Sequence, residues 1–272
     1  MKERDTIQSR LHVAASSYLN SAPLIWSFRR GSLRERVRLW TDAAPARCAE
    51  MLARGAVEVA LVPVIEYLRL PDALLIPSVC VGAQQRVRSV VIATRGMALD
   101  EVRTVALDLS SRTSAALVQI IFREFIGREP QFVPTAPDIE SMLGEYDAAL
   151  LIGDPAMIFE RRGRRVYDLA TVWHEQTGLG FIFAMWMTRH GTNVRAQDFA
   201  RARDEGLAHV DEIIAEYAPR LSLPEGELRD YLLRNITFTP DAKLRAGLEL
   251  FFQLAYKHGL ALVKRPLLFS ED

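Results

Sequence analysis

Small polar side chains are concentrated in three short segments, each of which follows an apolar run and precedes an amphipathic stretch. They are residues 16–20 (SSYLN), residues 110–114 (SSRTS) and the pair Gly153 and Asp154. The first turn of a helix carries unpaired N–H groups and a partial positive charge, so hydroxyl-rich turns at such places can bind a carboxylate. If the first two segments lie on opposite lobes of the protein, they can hold a small dianion between them.

Each of these residues also has a purely structural interpretation. Serine and threonine are the usual N-cap residues, so residues 110–114 can simply cap a helix. Asn20 can be a turn residue, because asparagine hydrogen-bonds well to its own backbone. Ser89 in an apolar strand can fill tight packing, and Asp154 can cap a helix. These alternatives stay open on the residues alone.

Other kinds of chemistry lack a pattern in the sequence. The five histidines show no metal-ligand spacing, and there is neither a Gly-rich phosphate motif nor a nucleophile elbow. The sequence therefore predicts no metal site, and nucleotide use and acyl transfer through a serine have no support. Residues 161–165, rich in arginine, are interpreted as a solvated loop.

Charge and cysteine usage limit the partners and the compartment. Lys plus Arg (34) balance Asp plus Glu (34), so no net field favours nucleic acid or a membrane surface. Residues 1–10 lack the apolar core of a secretory signal, and apolar stretches are shorter than the roughly 20 residues of a membrane helix. Cys48 and Cys80 are expected to be buried thiols, and the protein to be cytoplasmic. The sequence does not indicate an oligomeric state.

The elements that position these segments follow an α/β pattern. Strands are predicted at residues 11–15, 57–62, 87–94, 102–107, 147–152 and 181–187. Helices are predicted at residues 22–29, 44–55 and 113–125. The C-terminal third has apolar residues at helical spacing and is predicted as a helical cover over residues 196–217, 224–233 and 241–259.

The chain contains no flexible linker, so two lobes must be joined by ordered strands that cross between them. The crossing candidates are residues 87–94 and 181–187. We predict a first lobe made of residues 1–92 and 183–272, and a second lobe made of residues 93–182. Ligands of open α/β sheets bind beyond the carboxyl ends of the strands, where the polar turns are expected to lie.

Five segments in a fixed order carry a resemblance to a known family. They are residues 17–24 (SYLNSAPL), 62–67 (VPVIEY), 111–114 (SRTS), 147–154 (DAALLIGD) and 168–186 (DLATVWHEQTGLGFIFAMW). Together they resemble the chorismate dehydratases of the futalosine route to menaquinone. The resemblance covers residues 13–187, and the helical tail fits it in character only.

The resemblance implies a two-lobed, type II periplasmic-binding-protein-like fold that is used inside the cell as a hydro-lyase. The implied reaction converts chorismate, a dicarboxylate, to 3-[(1-carboxyvinyl)oxy]benzoate and water without a cofactor, with the enolpyruvyl carboxylate of the substrate as the base. Asn20 and Ser89 match the active-site residues of the family and are expected to be catalytic. Substrate binding is expected of Ser17, Ser111, Thr113, Ser114, Gly153, Asp154, Thr177 and Gly178.

Two departures from the family pattern keep alternatives open. Gln85 and Arg86 stand where the family usually has G-x before V-x-S, and Gly180 stands where the family usually has proline. A cytoplasmic small-carboxylate sensor of the same fold, or a paralogue acting on another carboxylate, is the competing interpretation.

Overall fold

The computed structural model of the protein describes residues 10–270 and contains two five-stranded sheets. In spatial order, the first sheet consists of β2 (Val37–Asp42), β1 (Leu11–Ser16), β3 (Val59–Pro63), β10 (Phe181–Arg189) and β4 (Ala73–Ala83). The second sheet consists of β7 (Gln131–Thr135), β6 (Thr104–Asp108), β8 (Ala148–Ile152), β5 (Val90–Thr94) and β9 (Arg165–Asp168). We call each sheet with its helices a lobe.

The two sheets have the same plan. β1 pairs in parallel with β2 and β3, and β6 pairs in parallel with β7 and β8. One antiparallel strand is then added to each sheet: β10 lies between β3 and β4, and β5 lies between β8 and β9. The α/β prediction is therefore confirmed, but the sheets are mixed rather than purely parallel.

Helices cover both sheets and form most of the C-terminal third. The helices are α1 (Ala22–Arg29), α2 (Pro45–Ala53), α3 (Arg112–Ile120), α4 (Ile139–Glu145), α5 (Gly153–Ile158), α6 (Leu169–Thr177), α7 (Ala196–Ala208), α8 (Val210–Leu221), α9 (Glu225–Asp230) and α10 (Ala242–Lys257). Two π-helical segments, Ile121–Ile126 and Tyr231–Asn235, continue α3 and α9. Within residues 10–270, none of the helices combines the length and the apolar character that a membrane span requires.

The chain passes between the sheets at residues 84–89 and again at residues 178–180. The predicted lobe boundaries at 92/93 and 182/183 fall inside β5 and β10, and each of these strands lies wholly in one sheet. Because each strand belongs to one sheet, we propose that the boundaries between the lobes lie in the two crossing segments. Each boundary is then a few residues earlier in the chain than predicted. The strand expected to begin at residue 87 starts only at Val90, because Arg88 has a left-handed backbone (φ 64°).

The sequence analysis did not predict four of the strands: β2, β4, β7 and β9. β4 is the clearest case, because Pro77 and Ser78 (φ 65°) interrupt its apolar run. The register of β10 against β4 shifts in this region, and β4 lies at the edge of its sheet, where proline is tolerated. The predicted helix over residues 196–217 is two helices, divided at His209, whose ring stacks on Trp26 at 3.8 Å.

Candidate active site

A small cavity lies between the lobes, where the turns after β1, β6 and β8 meet. Its volume is about 60 Å³, enough for a few water molecules but far below the roughly 300 Å³ of a typical ligand pocket. The lining residues are Tyr18, Asn20, Ser21, Pro45, Pro63, Val81, Val90, Ser111, Thr113, Ser114, Ile152, Gly153, Phe183 and Ala184. The lobes are therefore closed in this conformation and must separate to admit a substrate.

Asn20 and Thr113 line this cavity from opposite lobes. Asn20 lies in a short 3₁₀ turn, Leu19–Ser21, that leads from β1 into α1. Its carbonyl oxygen accepts a hydrogen bond from the Ser21 hydroxyl at 3.2 Å. The first two polar turns of the sequence therefore share one cavity, as a site that holds a ligand from both sides requires.

The N-terminus of α3 is open toward the cavity. Ser111 occupies the N-cap position but makes no side-chain capping bond, so the capping interpretation does not account for its hydroxyl. The first N–H of the helix with a backbone acceptor at this end is that of Ala115, which donates to Ser111 O at 3.2 Å. Three hydroxyls and the unpaired first turn of a nine-residue helix form a suitable site for a carboxylate.

Gly153 is required by a close contact between the lobes. Its φ is +63°, and a Cβ at this position would lie 2.4 Å from Cδ2 of Tyr18. The Tyr18 ring thus packs directly over the Gly153 backbone. Burial, together with the nearby Asp108 carboxylate, raises the pKa of Tyr18 to about 12, so its phenol is neutral at ordinary pH.

Asp154 contacts the opposite lobe rather than the cavity. Its Oδ1 accepts a hydrogen bond from Leu19 N–H at 2.9 Å. Burial raises the pKa of Asp154 to about 6, although the hydrogen bond from Leu19 acts in the opposite direction. The carboxyl therefore changes its charge close to neutral pH while it joins the two lobes.

Ser89 lies behind the cavity wall in the first crossing segment. Its carbonyl accepts a hydrogen bond from Gly153 N–H at 2.7 Å, and the residue is 0% exposed. The Tyr231 hydroxyl donates to Ser89 Oγ at 2.7 Å. Ser89 thus adjoins the site, but its hydroxyl does not line the cavity in this closed conformation.

Three residues that were expected to bind substrate lie elsewhere. Thr177 and Gly178 form the C-terminal end of α6, not a helix start, and the Thr177 hydroxyl donates to Trp173 O at 2.8 Å. Ser17 donates its N–H to Asp42 O and accepts a hydrogen bond from the Tyr217 hydroxyl on its carbonyl. None of the three lines the cavity in this closed conformation, so their contact with the substrate stays a prediction.

The structure also adds residues to the site. Tyr18 and Ser21 line the cavity, and their signal was present in the sequence because they flank Asn20 in the same turn. Tyr231 had no such signal. It lies in the helical tail, where the helical spacing of apolar residues indicates a core position. Only the three-dimensional fold brings it next to Ser89.

Polar contacts join the lobes around the cavity. Arg112 at the start of α3 forms ion pairs with Glu66 at 3.0 Å and with Glu50 at 2.9 Å, both in the first lobe. Beside them, Ile65 N–H donates to Thr113 Oγ1 at 3.2 Å. Two of the residues in these contacts, Arg112 and Thr113, thus belong to the turn that lines the cavity or adjoins it.

Comparisons with known proteins identify relatives of this chain over most of its length. A protein-family model described as menaquinone biosynthesis matches residues 11–257. A chorismate dehydratase of Thermus thermophilus is 31% identical over 275 aligned residues, which cover 93% of this chain and 96% of that protein.

Solved structures show the same fold at low sequence identity. A protein of Archaeoglobus fulgidus has a TM-score of 0.75 at 19% identity, covering 92% of this chain and 98% of the other. The periplasmic aliphatic sulphonate binding protein of Escherichia coli has a TM-score of 0.63 at 16% identity, covering 97% and 94%. These likenesses confirm the periplasmic-binding-protein-like fold.

Proposed function

The chain belongs to the menaquinone biosynthesis family, and we propose on this basis that it is a chorismate dehydratase, which forms 3-[(1-carboxyvinyl)oxy]benzoate and water from chorismate. The observation that carries the proposal is a relative of that activity with 31% identity over 93% of the chain. The interlobe cavity supports the proposal, because it joins Asn20 to the start of α3 and can offer hydrogen-bond donors from both lobes to a dicarboxylate once the lobes have separated to admit it.

The reaction removes one proton and one hydroxyl group from neighbouring ring carbons. A base takes the proton from the carbon that bears the ether, and the C–H electron pair enters the ring. The C–O bond to the hydroxyl breaks, and the departing oxygen is protonated to water. Because the product ring is aromatic, the step runs downhill and transfers no electrons to a second reactant.

The neutral lining of the cavity suits a base that the substrate carries itself. No Asp, Glu, His, Lys or Arg belongs to the lining residues of the cavity described above, and the raised pKa of Tyr18 keeps that phenol protonated. The enolpyruvyl carboxylate of chorismate is then the group that accepts the ring proton. The protein supplies orientation and hydrogen bonds, which can contribute several kcal/mol to the barrier.

Each polar group has a proposed role in this scheme. The hydroxyls of Ser111, Thr113 and Ser114, with the first turn of α3, bind one carboxylate of the substrate. Asn20 and Ser89 hold the other carboxylate and the departing hydroxyl group. For Ser89 this role requires that its hydroxyl become accessible when the lobes separate and close again on the substrate.

Asp154 is proposed to control closure rather than chemistry, because its carboxylate contacts the backbone of the opposite lobe. The compartment is proposed to be the cytoplasm. Cys48 and Cys80 are free and buried, as suits a reducing environment.

The test is direct turnover of chorismate by the purified protein, with the aromatic product identified by chromatography and mass. A protein-free sample gives the spontaneous decay of chorismate. Formation of 3-[(1-carboxyvinyl)oxy]benzoate above that background supports the proposal, and its absence from a folded protein contradicts it.

A binding protein is the second candidate, because the same fold occurs in a periplasmic sulphonate binding protein. Calorimetry with chorismate separates the two functions. Binding without product assigns a sensor, and turnover assigns the enzyme. Neither binding nor product would point to a different carboxylate as the ligand.

A further inference from the structure

We propose that Tyr231 is a positioning residue of this site, whose hydroxyl fixes the side chain of Ser89 in the orientation that substrate binding requires. The inference rests on the proposed function. It assigns a role to the helical tail, which carries none of the sequence motifs of the site.

The hydrogen bond from Tyr231 to Ser89 is fully enclosed. Tyr231 is 1% exposed and Ser89 is 0% exposed, and the hydroxyl oxygens lie 2.7 Å apart. Solvent therefore does not compete for either group. A buried hydroxyl that loses its partner costs free energy, so this pairing is strongly favoured over others.

The phenol of Tyr231 is the donor in this pair. Burial raises the pKa of Tyr231, so the phenol is neutral and keeps its proton. It donates this proton to Ser89 Oγ. The hydroxyl proton of Ser89 is not used in this hydrogen bond and can point to another acceptor.

Asn20 interacts with the same phenol, because its side chain lowers the pKa of Tyr231 in part. The carbonyl oxygen of Asn20 accepts a hydrogen bond from the Ser21 hydroxyl, and Asn20 lines the cavity. Tyr231 thus positions one of the two side chains that are proposed to act on the substrate and lies close to the other.

The helix that carries Tyr231 is itself attached to the crossing segment. Glu227, one turn earlier, forms an ion pair with Arg88, the residue before Ser89. Residues four apart lie on the same face of a helix, so one face of the tail contacts two consecutive residues of the segment. This second contact explains why Tyr231 keeps its place beside Ser89.

The first experiment compares Tyr231→Phe with wild type and with Tyr67→Phe. Tyr67 is a matched control, because it is also fully buried and its hydroxyl is hydrogen-bonded to Pro266 O and Leu268 N, away from the cavity. We expect kcat of Tyr231→Phe to fall about tenfold or more, with KM changed less than about threefold. Tyr67→Phe should retain the wild-type kcat at temperatures where it is folded.

A double-mutant cycle with Ser89→Ala separates positioning from a general loss of stability. If Tyr231 acts through Ser89, Tyr231→Phe should lower kcat much less in the Ser89→Ala background than in wild type. Full additivity, or an unchanged kcat in the single variant, overturns the proposal. Thermal melting of each variant checks that it is folded.

If wild type shows no turnover, the proposed function fails and calorimetry with chorismate becomes the readout for Tyr231. Weaker binding by Tyr231→Phe than by Tyr67→Phe then supports the positioning role. Equal binding by the two variants, or no binding by wild type, overturns it.

Discussion

The carbonyl oxygen of Asn20 accepts a hydrogen bond from the Ser21 hydroxyl, so its amide N–H groups are the donors that it can offer to a ligand. It is held in a 3₁₀ turn directly before α1, so its position depends on backbone structure rather than on a flexible loop. A residue placed in this way can hold a hydrogen-bond donor in a fixed direction without reorganisation during the reaction.

Replacing Asn20 by alanine should lower turnover without unfolding the protein. We expect kcat to fall about 100-fold, the usual effect of removing one fixed donor from a developing negative charge. The chromatographic assay measures the rate, and circular dichroism confirms the fold. Asn193→Ala, at an exposed position, is the control. Equal rates for the two variants would remove Asn20 from the mechanism.

Asp154 should make stability depend on pH in an unusual direction. Its pKa is about 6 in the folded protein and about 3.9 in an unfolded chain. The folded state therefore binds the proton more tightly, so this stabilisation is present below pH ~4 and is lost as pH rises through about 6. Asp154→Asn should flatten the melting temperature over this range; an unchanged pH profile would contradict the assignment.

Part of the site was predictable at the residue scale. Hydroxyl-rich turns before helices identified Ser111, Thr113 and Ser114, because local sequence determines where helices begin. Thr177 and Gly178 were assigned from a family segment alone, and they form the C-terminal end of α6 without lining the cavity of the closed conformation. Tyr231 depends on a contact across 142 residues, which no local pattern encodes.

Helix α6 is fixed to the crossing segment through one carboxylate. Asp168 accepts N–H hydrogen bonds from Ala170 and Thr171 at the start of α6, and from Val87 and Arg88 in the crossing segment. One side chain thus serves as the N-cap of a helix and as the anchor of the left-handed turn at Arg88.

Asp168→Ala should therefore cost more than the loss of an ordinary N-cap. We expect about 3 kcal/mol, because several N–H groups lose their acceptor together. Asp138→Ala is the matched control, since Asp138 caps α4 through a single bond to Ser141 N–H, and should cost about 1 kcal/mol. Urea unfolding measures both. Similar losses of unfolding free energy in the two variants would show that the contacts of Asp168 with residues 87 and 88 do not contribute to stability.

Helices α1 and α7 approach each other at Gly206. A Cβ there would lie 1.9 Å from Pro23 O, so Gly206→Ala should force the helices apart and cost about 2 kcal/mol. In α4, Gly144 has nothing within 4 Å, and Gly144→Ala should stabilise by about 0.5 kcal/mol. Thermal unfolding of the two variants and of wild type measures both changes in stability. A Gly206→Ala protein as stable as wild type would contradict the prediction.

Elements with a simple pattern were predictable, and those shaped by tertiary contacts were not. Helix α1 was predicted with its observed bounds because Pro23 marks its first turn. β4 was missed because Pro77 breaks its pattern, and its pairing with β10 comes from a strand more than 100 residues away. The predicted helix over residues 196–217 is divided at His209, whose ring packs on Trp26, a residue distant in the sequence.

At the scale of the whole molecule, Arg112 connects the lobes. It pairs with Glu66, whose side chain is 4% exposed, and with the more exposed Glu50. Removing the arginine leaves the buried Glu66 paired with the partly exposed Arg69 among the described residues. The closed arrangement should therefore weaken, since an under-compensated buried charge is costly.

Arg112→Gln should shift the protein toward an open arrangement and lower its stability by about 2 kcal/mol. Small-angle scattering should show a larger radius of gyration than in wild type. Arg164→Gln is the control, because Arg164 pairs with Glu140 inside the second lobe, and its radius should not change. Identical scattering from both variants would show that other contacts keep the lobes closed.

The resemblance and the lack of a flexible linker predicted two lobes joined by ordered strands. They did not predict which sheet each strand joins. Local sequence does not say that residues 181–189 return to the first sheet and lie between β3 and β4. That insertion depends on which partner strands are available after the second lobe has formed.

The same insertion determines the order in which the protein can be completed during its synthesis. Among residues 10–270, the strand that pairs with β4 is β10, and the other edge of β4 is bridged by Thr237 and Phe269. All these partners follow β4 in the chain by about a hundred residues or more, so β4 stays unpaired while the ribosome makes them. The second sheet, from β5 to β9, is continuous in the chain and can form as soon as it emerges. The first lobe, whose synthesis begins before that of the second, is thus completed last. Until then β4 is the strand most exposed to aggregation or chaperone binding in the nascent chain.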